Sequence, residues 1–298
     1  MEHGAERMRV GELARRVGVS AHVLRAWETR YGMFSPERSE SGYRLYGPTD
    51  EQVARQVITL RDSGMPLAQA AATVLARHTD GPVITPSATQ EYTSRLGYAM
   101  LQLDNRGARM VLDEAITQFG LEQVIRGVIV PFMQELGGMW ANGDVSVAHE
   151  HFASHAVRRT LAVQTVDQTE PGSPIALLAC PPGERHDIGL LCMAILMSRR
   201  GWDVRFLGAD TPLHSLVRVA DTVRPDLVVL SASRRSAFES RRGIIRRLSS
   251  SVTIAIGGGG SGPALAADLN ARLLPPDLID AAEATLEFAS ESTELVAR

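Results

Sequence analysis

IALLACPPGERHDIGLLCMAILMSRRGWDVRFLG (Ile175–Gly208) decides the fold of the C-terminal part of this chain. It opens on a short, continuous apolar run, Ile175–Cys180, and passes through a Pro-Gly loop. A helical stretch, IGLLCMAILMSRRG, leads into a second run, WDVRFLG. Toward the C-terminus the texture repeats: the helical LHSLVRVADTVRP, then DLVVLSAS, a basic helix, and TIAIGGGG. Strands that alternate with helices of this length form βαβ units and a parallel sheet. Strands that are apolar throughout predict helices on both sheet faces. Residues 174–298 are therefore expected to form a doubly wound parallel sheet.

Working outward toward the N-terminus, QTEPGSP (Gln168–Pro174) breaks the pattern. Before it, Glu91 to Gln168 carries helical periodicity, with turns marked by Gly107, Gly120 and Gly143-Asp144, which predicts a four-helix bundle over 91–168. TDGPVITPSAT (Thr79–Thr89) reads as a linker, 79–90. Residues 8–78 read as helices with one short polar hairpin. Val10–Val17 places Leu13, Ala14 and Val17 at core spacing, Gly18 breaks it, and Ser20 caps a second helix that Gly32 ends. Helix, glycine-containing turn and helix make the helix-turn-helix plan, in which the second helix enters the major groove. In PERSESGYRLY, Gly42 supplies a turn and Tyr43–Tyr46 the returning strand of a wing, with Arg38 and Arg44 on its two arms. The expected fold class is multi-domain, α+β and α/β: a winged helix-turn-helix, a four-helix bundle and a Rossmann-like doubly wound parallel sheet.

At 298 residues the chain is too long for one ordinary core, and 44% hydrophobic content supplies several. Net charge is −3, so any nucleic-acid surface must be local. Every basic residue is Arg, so phosphate contacts come from guanidinium forks. Cys180 and Cys192 both lie in apolar runs and indicate neither a disulfide framework nor a zinc site. MEHGAERMRVGELARRVG has no apolar signal core, and no run approaches the ~20 residues that span a bilayer. A reducing cytoplasm is the expected compartment, with no membrane partner.

VGELARRVGVSAHVLRAWETRYGMFSPERSESGYRLYGPTDEQVARQVITLRDSGMPL resembles the winged DNA-binding domain of the MerR family from end to end. Leu24-Arg25-x-Trp27-Glu28, the Arg30-Tyr31-Gly32 exit and Gly42-Tyr43-Arg44-x-Tyr46 carry the likeness. It implies His22, Arg25, Arg38, Tyr43 and Arg44 as contacts to double-stranded operator DNA. Trp27, Tyr31 and Tyr46 fit core packing or contact equally. It also implies self-association, as a dimer or tetramer, supplied by the following domains.

The chemically sharpest loop is Pro182-Gly183-Glu184-Arg185-His186-Asp187-Ile188-Gly189, at the carboxyl end of the first strand, where open α/β sheets bind ligands. A lone His is more often structural, but here it has little core to pack against. A carboxylate two residues earlier can hold its second ring nitrogen, fixing the tautomer and raising basicity. A glycine three residues on lets the backbone pass close to a bulky ligand. Glu184-x-His186-x-x-Gly189 is similar to the Asp-x-His-x-x-Gly signature of cobalamin-binding domains of the methionine-synthase type, with Glu in place of Asp. The likeness implies His186 as the lower axial ligand of cobalt and Glu184 as its hydrogen-bond partner. It places Ser231 and Ser233 at the strand-end turn, and Gly257, Gly258 and Gly259 along the slot for the nucleotide tail. The glycines do not follow the first strand as G-x-G-x-x-G, which argues against a dinucleotide. The basic run from Arg234 to Arg242 fits a solvated helix face or a contact to the phosphate tail.

Trp140, followed after nine residues by Glu150-His151, resembles the cap of the CarH/LitR photoreceptors, which join the same three domains in this order. Trp140, Val147, Glu150 and His151 would then frame the adenosyl group of adenosylcobalamin. In those proteins a His follows the Trp; here that position is Ala141, which cannot ligate a metal. Either His149 or His151 substitutes, or no bis-His form arises. The implied function is a cobalamin-dependent transcriptional regulator, a repressor and not an enzyme, with adenosylcobalamin as a light-sensing ligand that controls oligomerisation and operator binding. The alternatives are a light-independent corrinoid-sensing or cofactor-free MerR-type regulator, and a corrinoid carrier for a methyltransferase. A carrier has no use for a winged domain.

Overall fold

The computed structural model describes residues 7–34, 36–38, 43–62, 64–78, 83–164 and 172–296. The chain divides into two compact units, Met1–Thr79 and Asp80–Arg298.

In the first unit, helices α1 (Val10–Val17) and α2 (Ala21–Tyr31) are joined through Gly18, which sits at φ 73°. That left-handed conformation suits a residue without Cβ. The Ser20 hydroxyl accepts from the Val23 amide at 3.3 Å and satisfies one orphan donor of α2. Strands β1 (Glu37–Arg38) and β2 (Arg44–Leu45) pair antiparallel, with Arg38 opposite Arg44. Helices α3 (Pro48–Asp62) and α4 (Leu67–His78) complete the unit. Leu13, Leu24, Trp27, Phe34 and Tyr46 are buried together, and the rings of Phe34 and Tyr46 meet edge to face at 5.9 Å. Trp27 and Tyr46 are therefore core residues. Gly42 and the wing tip, residues 39–42, lie outside the described residues, as does the side chain of Arg38.

The second unit begins with helix α5 (Pro86–Leu101). Pro86, read from the sequence as part of a linker, instead opens this helix. Its missing N–H falls where no intrahelical partner exists, and Thr85 caps the turn. Asp104 caps α6 (Asn105–Phe119). The third helix comes in pieces: α7 (Leu121–Val124), a π-helical turn (Ile125–Ile129) and α8 (Val130–Asn142). The widened turn lies just before Pro131, whose ring would meet the carbonyl of Gly127 in a regular helix. Helix α9 (Val147–Ala162) closes the bundle, with Ser146 and His149 forming a capping box.

The α/β part runs β3 (Ile175–Ala179), α10 (Ile188–Arg199), β4 (Asp203–Gly208), α11 (Leu213–Val223), β5 (Leu227–Ser231), α12 (Arg235–Glu239), α13 (Arg242–Leu248), β6 (Thr253–Gly257), α14 (Pro263–Leu269), β7 (Arg272–Leu273) and α15 (Leu278–Val296). All strands are parallel, in the order β4-β3-β5-β6-β7. Chain direction across the sheet reverses between β3 and β5, which is where a doubly wound fold opens a ligand crevice. Side chains of β3 alternate between two cores. Leu177 and Ala179 join Leu216, Phe238 and Ile245 on one face. Ala176, Leu178 and Cys180 join α10 and the bundle's own interior, Leu96, Leu112 and Ile125 among them, on the other. Bundle and sheet thus share one core, and the break at 168–174 interrupts the chain rather than the packing.

Candidate functional site

The site forms where β3 and β5 end side by side. Glu184, in the loop after β3, is buried, and its carboxylate accepts four hydrogen bonds. One oxygen takes the His186 amide at 2.9 Å and His186 Nδ1 at 2.6 Å. The other takes the amide and the hydroxyl of Ser233, both at 2.6 Å. Burial opposes ionisation of this carboxyl, but the donors from Ser233 and His186 outweigh it and hold it down to about 2. With Nδ1 given to a carboxylate, the neutral ring carries its lone pair on Nε2. The ring is 71% exposed, so that nitrogen is presented to whatever enters the crevice.

The loop is braced from behind. Asp210, at φ 50°, accepts from the Gly183 amide at 2.7 Å and donates its own amide to the Glu184 carbonyl at 2.8 Å. Ser231 pairs in register with Gly257 across β5 and β6. Beyond them the two loops zip together, Gly260 donating to the Ala232 carbonyl at 2.9 Å. A Cβ on Gly258 would lie 2.5 Å from the Ala232 carbonyl oxygen, and one on Gly260 2.6 Å from that of Arg234. These two glycines are demanded by the chain's own packing. Gly189 is not: a Cβ there would meet nothing within 4 Å. An exposed imidazole held from behind by a carboxylate at a sheet's carboxyl edge fits a metal-centred ligand. In the basic run, Arg235 pairs with Glu239 and Arg242 with Asp268, as a solvated helix face does.

Four further sequence-selected residues lie on the bundle. Trp140 and Val147 are 49% and 52% exposed, large apolar surfaces that the described residues leave open. Val147, Glu150, His151, Ser154 and Arg158 stand at i, i+3, i+4, i+7 and i+11, one face of α9. Glu150 accepts from the Ser154 hydroxyl at 2.7 Å, and its other oxygen is 3.7 Å from His151 Nε2. Arg158 reaches both oxygens of Asp187, the residue after His186, and this turns the face toward the His186 loop. His149 is occupied: Ser146 approaches its Nδ1 through the hydroxyl, at 2.8 Å.

In the winged unit, His22 and Arg25 are exposed one turn apart on α2, and Tyr43 is exposed with the Arg9 guanidinium 4.6 Å over its ring. Glu28 ties the wing to α2. It accepts from Arg44 Nε at 2.8 Å and from the Tyr46 hydroxyl at 2.5 Å. Arg44 is thereby aimed, and part of its charge is answered inside the protein.

Reading the sequence missed Glu28 as a brace, Asp210 as a support and Arg158–Asp187 as a tie. Asp187 and Asp210 stood at strand-end turns where such roles occur, whereas nothing local marks Arg158.

Comparison with known proteins places these features. Residues 8–76 match the family described as MerR HTH family regulatory protein, and residues 93–164 and 174–288 match two families each described as a B12 binding domain. The HTH-type transcriptional repressor CarA of Myxococcus xanthus is 37% identical over 235 residues, 78% of either chain. The repressor CarH of the same organism is 30% identical over 249 residues, 80% of this chain and 83% of its own. The second unit also shares its fold with the monomethylamine corrinoid protein of Methanosarcina barkeri, at a TM-score of 0.57 and 20% identity over 67% of this chain and 99% of that one. The relatives that match over most of the chain are repressors, not enzymes, and no helix among the described residues is long and apolar enough to cross a membrane. A DNA-reading unit joined to two B12-binding domains makes this chain a DNA-binding transcriptional regulator, and it belongs to the family of HTH-type repressors that contains CarA and CarH.

Proposed function

We propose that this regulator is a repressor that acts in the cytoplasm and holds a corrinoid, adenosylcobalamin in its sensory form, between the His186 loop and the α8–α9 end of the bundle. The observation that carries this is the fourfold hydrogen-bonded Glu184 with Nδ1 of an exposed His186. A carboxylate so placed fixes the tautomer and orientation of the ring, with the lone pair a metal requires on Nε2. His186 would meet cobalt from below. Trp140 and Val147 would cover the upper face, with Glu150 and His151 at its edge. Ser231 and Gly257–Gly259 would border the nucleotide tail. When bound, adenosylcobalamin supplies a cobalt–carbon bond that light can break. The chain's part is to exclude water, orient the cofactor, and favour one assembly state of the protein over another. His22, Arg25, Arg38, Tyr43 and Arg44 of 8–78 would contact operator DNA, and 91–168 with 174–298 would drive pairing into dimers or tetramers.

The test is reconstitution with adenosylcobalamin, followed by absorption spectroscopy and size exclusion in the dark and after green light. The expected result is retained corrinoid, a spectral change on illumination and a smaller particle. His186→Ala should lose retention. An unchanged spectrum and unchanged size would remove the light role, and free passage of the corrinoid would remove the site.

A second reading keeps the corrinoid and drops light. Ala141 favours it, since no metal ligand follows Trp140, and the cap of α9 already engages His149. Any substitute ligand would then be His151, which is 69% exposed.

A further inference from the structure

Among the described residues, three ion-pair systems join the bundle to the α/β part, and they are unequal. Glu122 in α7 and Arg200 after α10 form a two-pronged pair at 2.9 and 3.1 Å, with both side chains no more than 2% exposed. Arg126, in the π-helical turn, grips Asp277 at 2.7 and 2.6 Å and Asp280 at 2.9 Å. Both anchors sit on one short stretch of the bundle, residues 122–126. The third pair, Arg158–Asp187, stands apart from them. It joins α9 to the residue that follows His186, and its arginine is 34% exposed.

We propose that Arg158–Asp187 is a latch at the site end of the bundle, where it seats α9 on the His186 loop while the other two pairs hold the far contact. Two sets of contacts flank it, one along the same face of α9 and one in the His186 loop. Glu150 meets Ser154 one turn before Arg158, Arg158 meets Asp187, and the adjacent His186 meets Glu184, which is bound to Ser233 at the end of β5. The face of α9 that carries Val147, Glu150 and His151 is therefore held toward the imidazole by the one ion pair that, among the described residues, joins α9 to the α/β part. The Arg126 anchor is at least as open to water, but it sits on residues 122–126 beside the dry Glu122–Arg200 pair, whereas α9 has no second ion pair to the α/β part among the described residues, so loss of Arg158–Asp187 frees this end locally. Arg158 acts as a positioning residue. It sets how firmly a ligand between α9 and His186 is kept, and its effect on a ligand rests on the corrinoid reading above.

Hydrogen exchange on the full chain without added corrinoid tests the latch alone. In Arg158→Met, exchange over Val147–Ala162 should rise roughly tenfold, while Pro86–Leu101 and Leu121–Asn142 stay as they were. Reversing the pair, Arg158→Asp with Asp187→Arg, should restore most of the protection. Exchange that is unchanged, or raised equally through every bundle helix, overturns the latch. Arg158→Lys keeps the charge without the two-pronged contact and carries the same test if Arg158→Met fails to fold. In the second arm the protein is loaded with hydroxocobalamin. Arg158→Met should release it about tenfold faster and shift its absorption spectrum, as loss of a group supporting a metal ligand does. If the parent chain keeps no corrinoid, the proposed function fails, and the exchange arm still decides the latch.

Discussion

Two buried-side carboxylates do similar work in distant parts of this chain, and their partners make the difference. Glu28 in the winged unit accepts from Arg44 and Tyr46; Glu184 in the crevice accepts from His186 and Ser233. Each ties a loop or strand to a neighbouring element and points a side chain outward. Glu28 spends its charge on a cation. The guanidinium it aims keeps donors for a phosphate but offers less net positive charge. Glu184 shares its charge among an imidazole N–H, two amides and a hydroxyl, so the imidazole beyond it becomes a better electron-pair donor. One carboxylate mutes the group it positions, and the other sharpens it.

The largest effect should come from breaking the sharper of the two. Glu184→Ala leaves the Ser233 and His186 donors without their acceptor. It should cost the second unit on the order of 3 kcal/mol at neutral pH in urea unfolding, from the depressed carboxyl, and weaken corrinoid retention about 10- to 100-fold. A native state that loses nothing would mean that the carboxylate is idle. The pH dependence follows from the same shift. A carboxyl lowered from 4.5 to about 2 contributes its full stability above pH 4.5 and loses it as pH falls toward 2. The difference between parent and Glu184→Gln should shrink over that window.

Next in size is the wing. Glu28→Ala strands the hydroxyl of fully buried Tyr46, for roughly 1–3 kcal/mol in thermal unfolding of the first unit. Its pH sensitivity should have the opposite sign. Burial, then the hydrogen bond and charge of Glu28, raise the Tyr46 phenol above 10. A raised acid stabilises the fold below its unfolded value and gives this up as pH climbs past it. The advantage of the parent over Tyr46→Phe should therefore dwindle above pH 10. Acid loosens the crevice, and alkali loosens the wing.

The smallest effect is expected at Arg25, which is exposed and, among the described residues, has no carboxylate brace like that of Arg44. Arg25→Ala should weaken DNA binding almost uniformly across sequences and reduce the salt slope by about one. Glu28→Gln, which frees the charge of Arg44, should make that slope steeper. Equal slopes for all three proteins would erase the distinction drawn between muted and unmuted arginines.

What was legible in the sequence followed from period and locality. Apolar runs at β3, β5 and β6 alternate with helices, so the sheet and its order of layers could be read directly. Glu184 and His186 lie two residues apart on one loop, so their pairing was visible too. The Ser233 partner of Glu184 is 49 residues on, yet it was reachable because both sit at strand ends of the same sheet edge. The Arg158–Asp187 tie was not legible. One partner lies inside a helix, and the pairing depends on how the bundle is seated. Glu28 was quoted as part of a motif, but a motif does not say which neighbour a carboxylate faces. Pro86 misled because proline interrupts a helix in its interior and starts one at its edge, and composition alone does not separate the two.

The widened turn at Ile125–Ile129 has a consequence for phase. It takes up one residue more than a regular helix would, so everything after it is rotated by about 100° about the axis. Glu122 fixes the helix before that turn and Arg126 at its start, and Trp140 stands beyond it. Deleting a single residue between 125 and 129 would let the helix become regular and swing the indole roughly a quarter-turn away from its present bearing, with every side chain of the crevice still intact. A shift in angle, with no loss of any functional group, would be enough to take Trp140 out of the site.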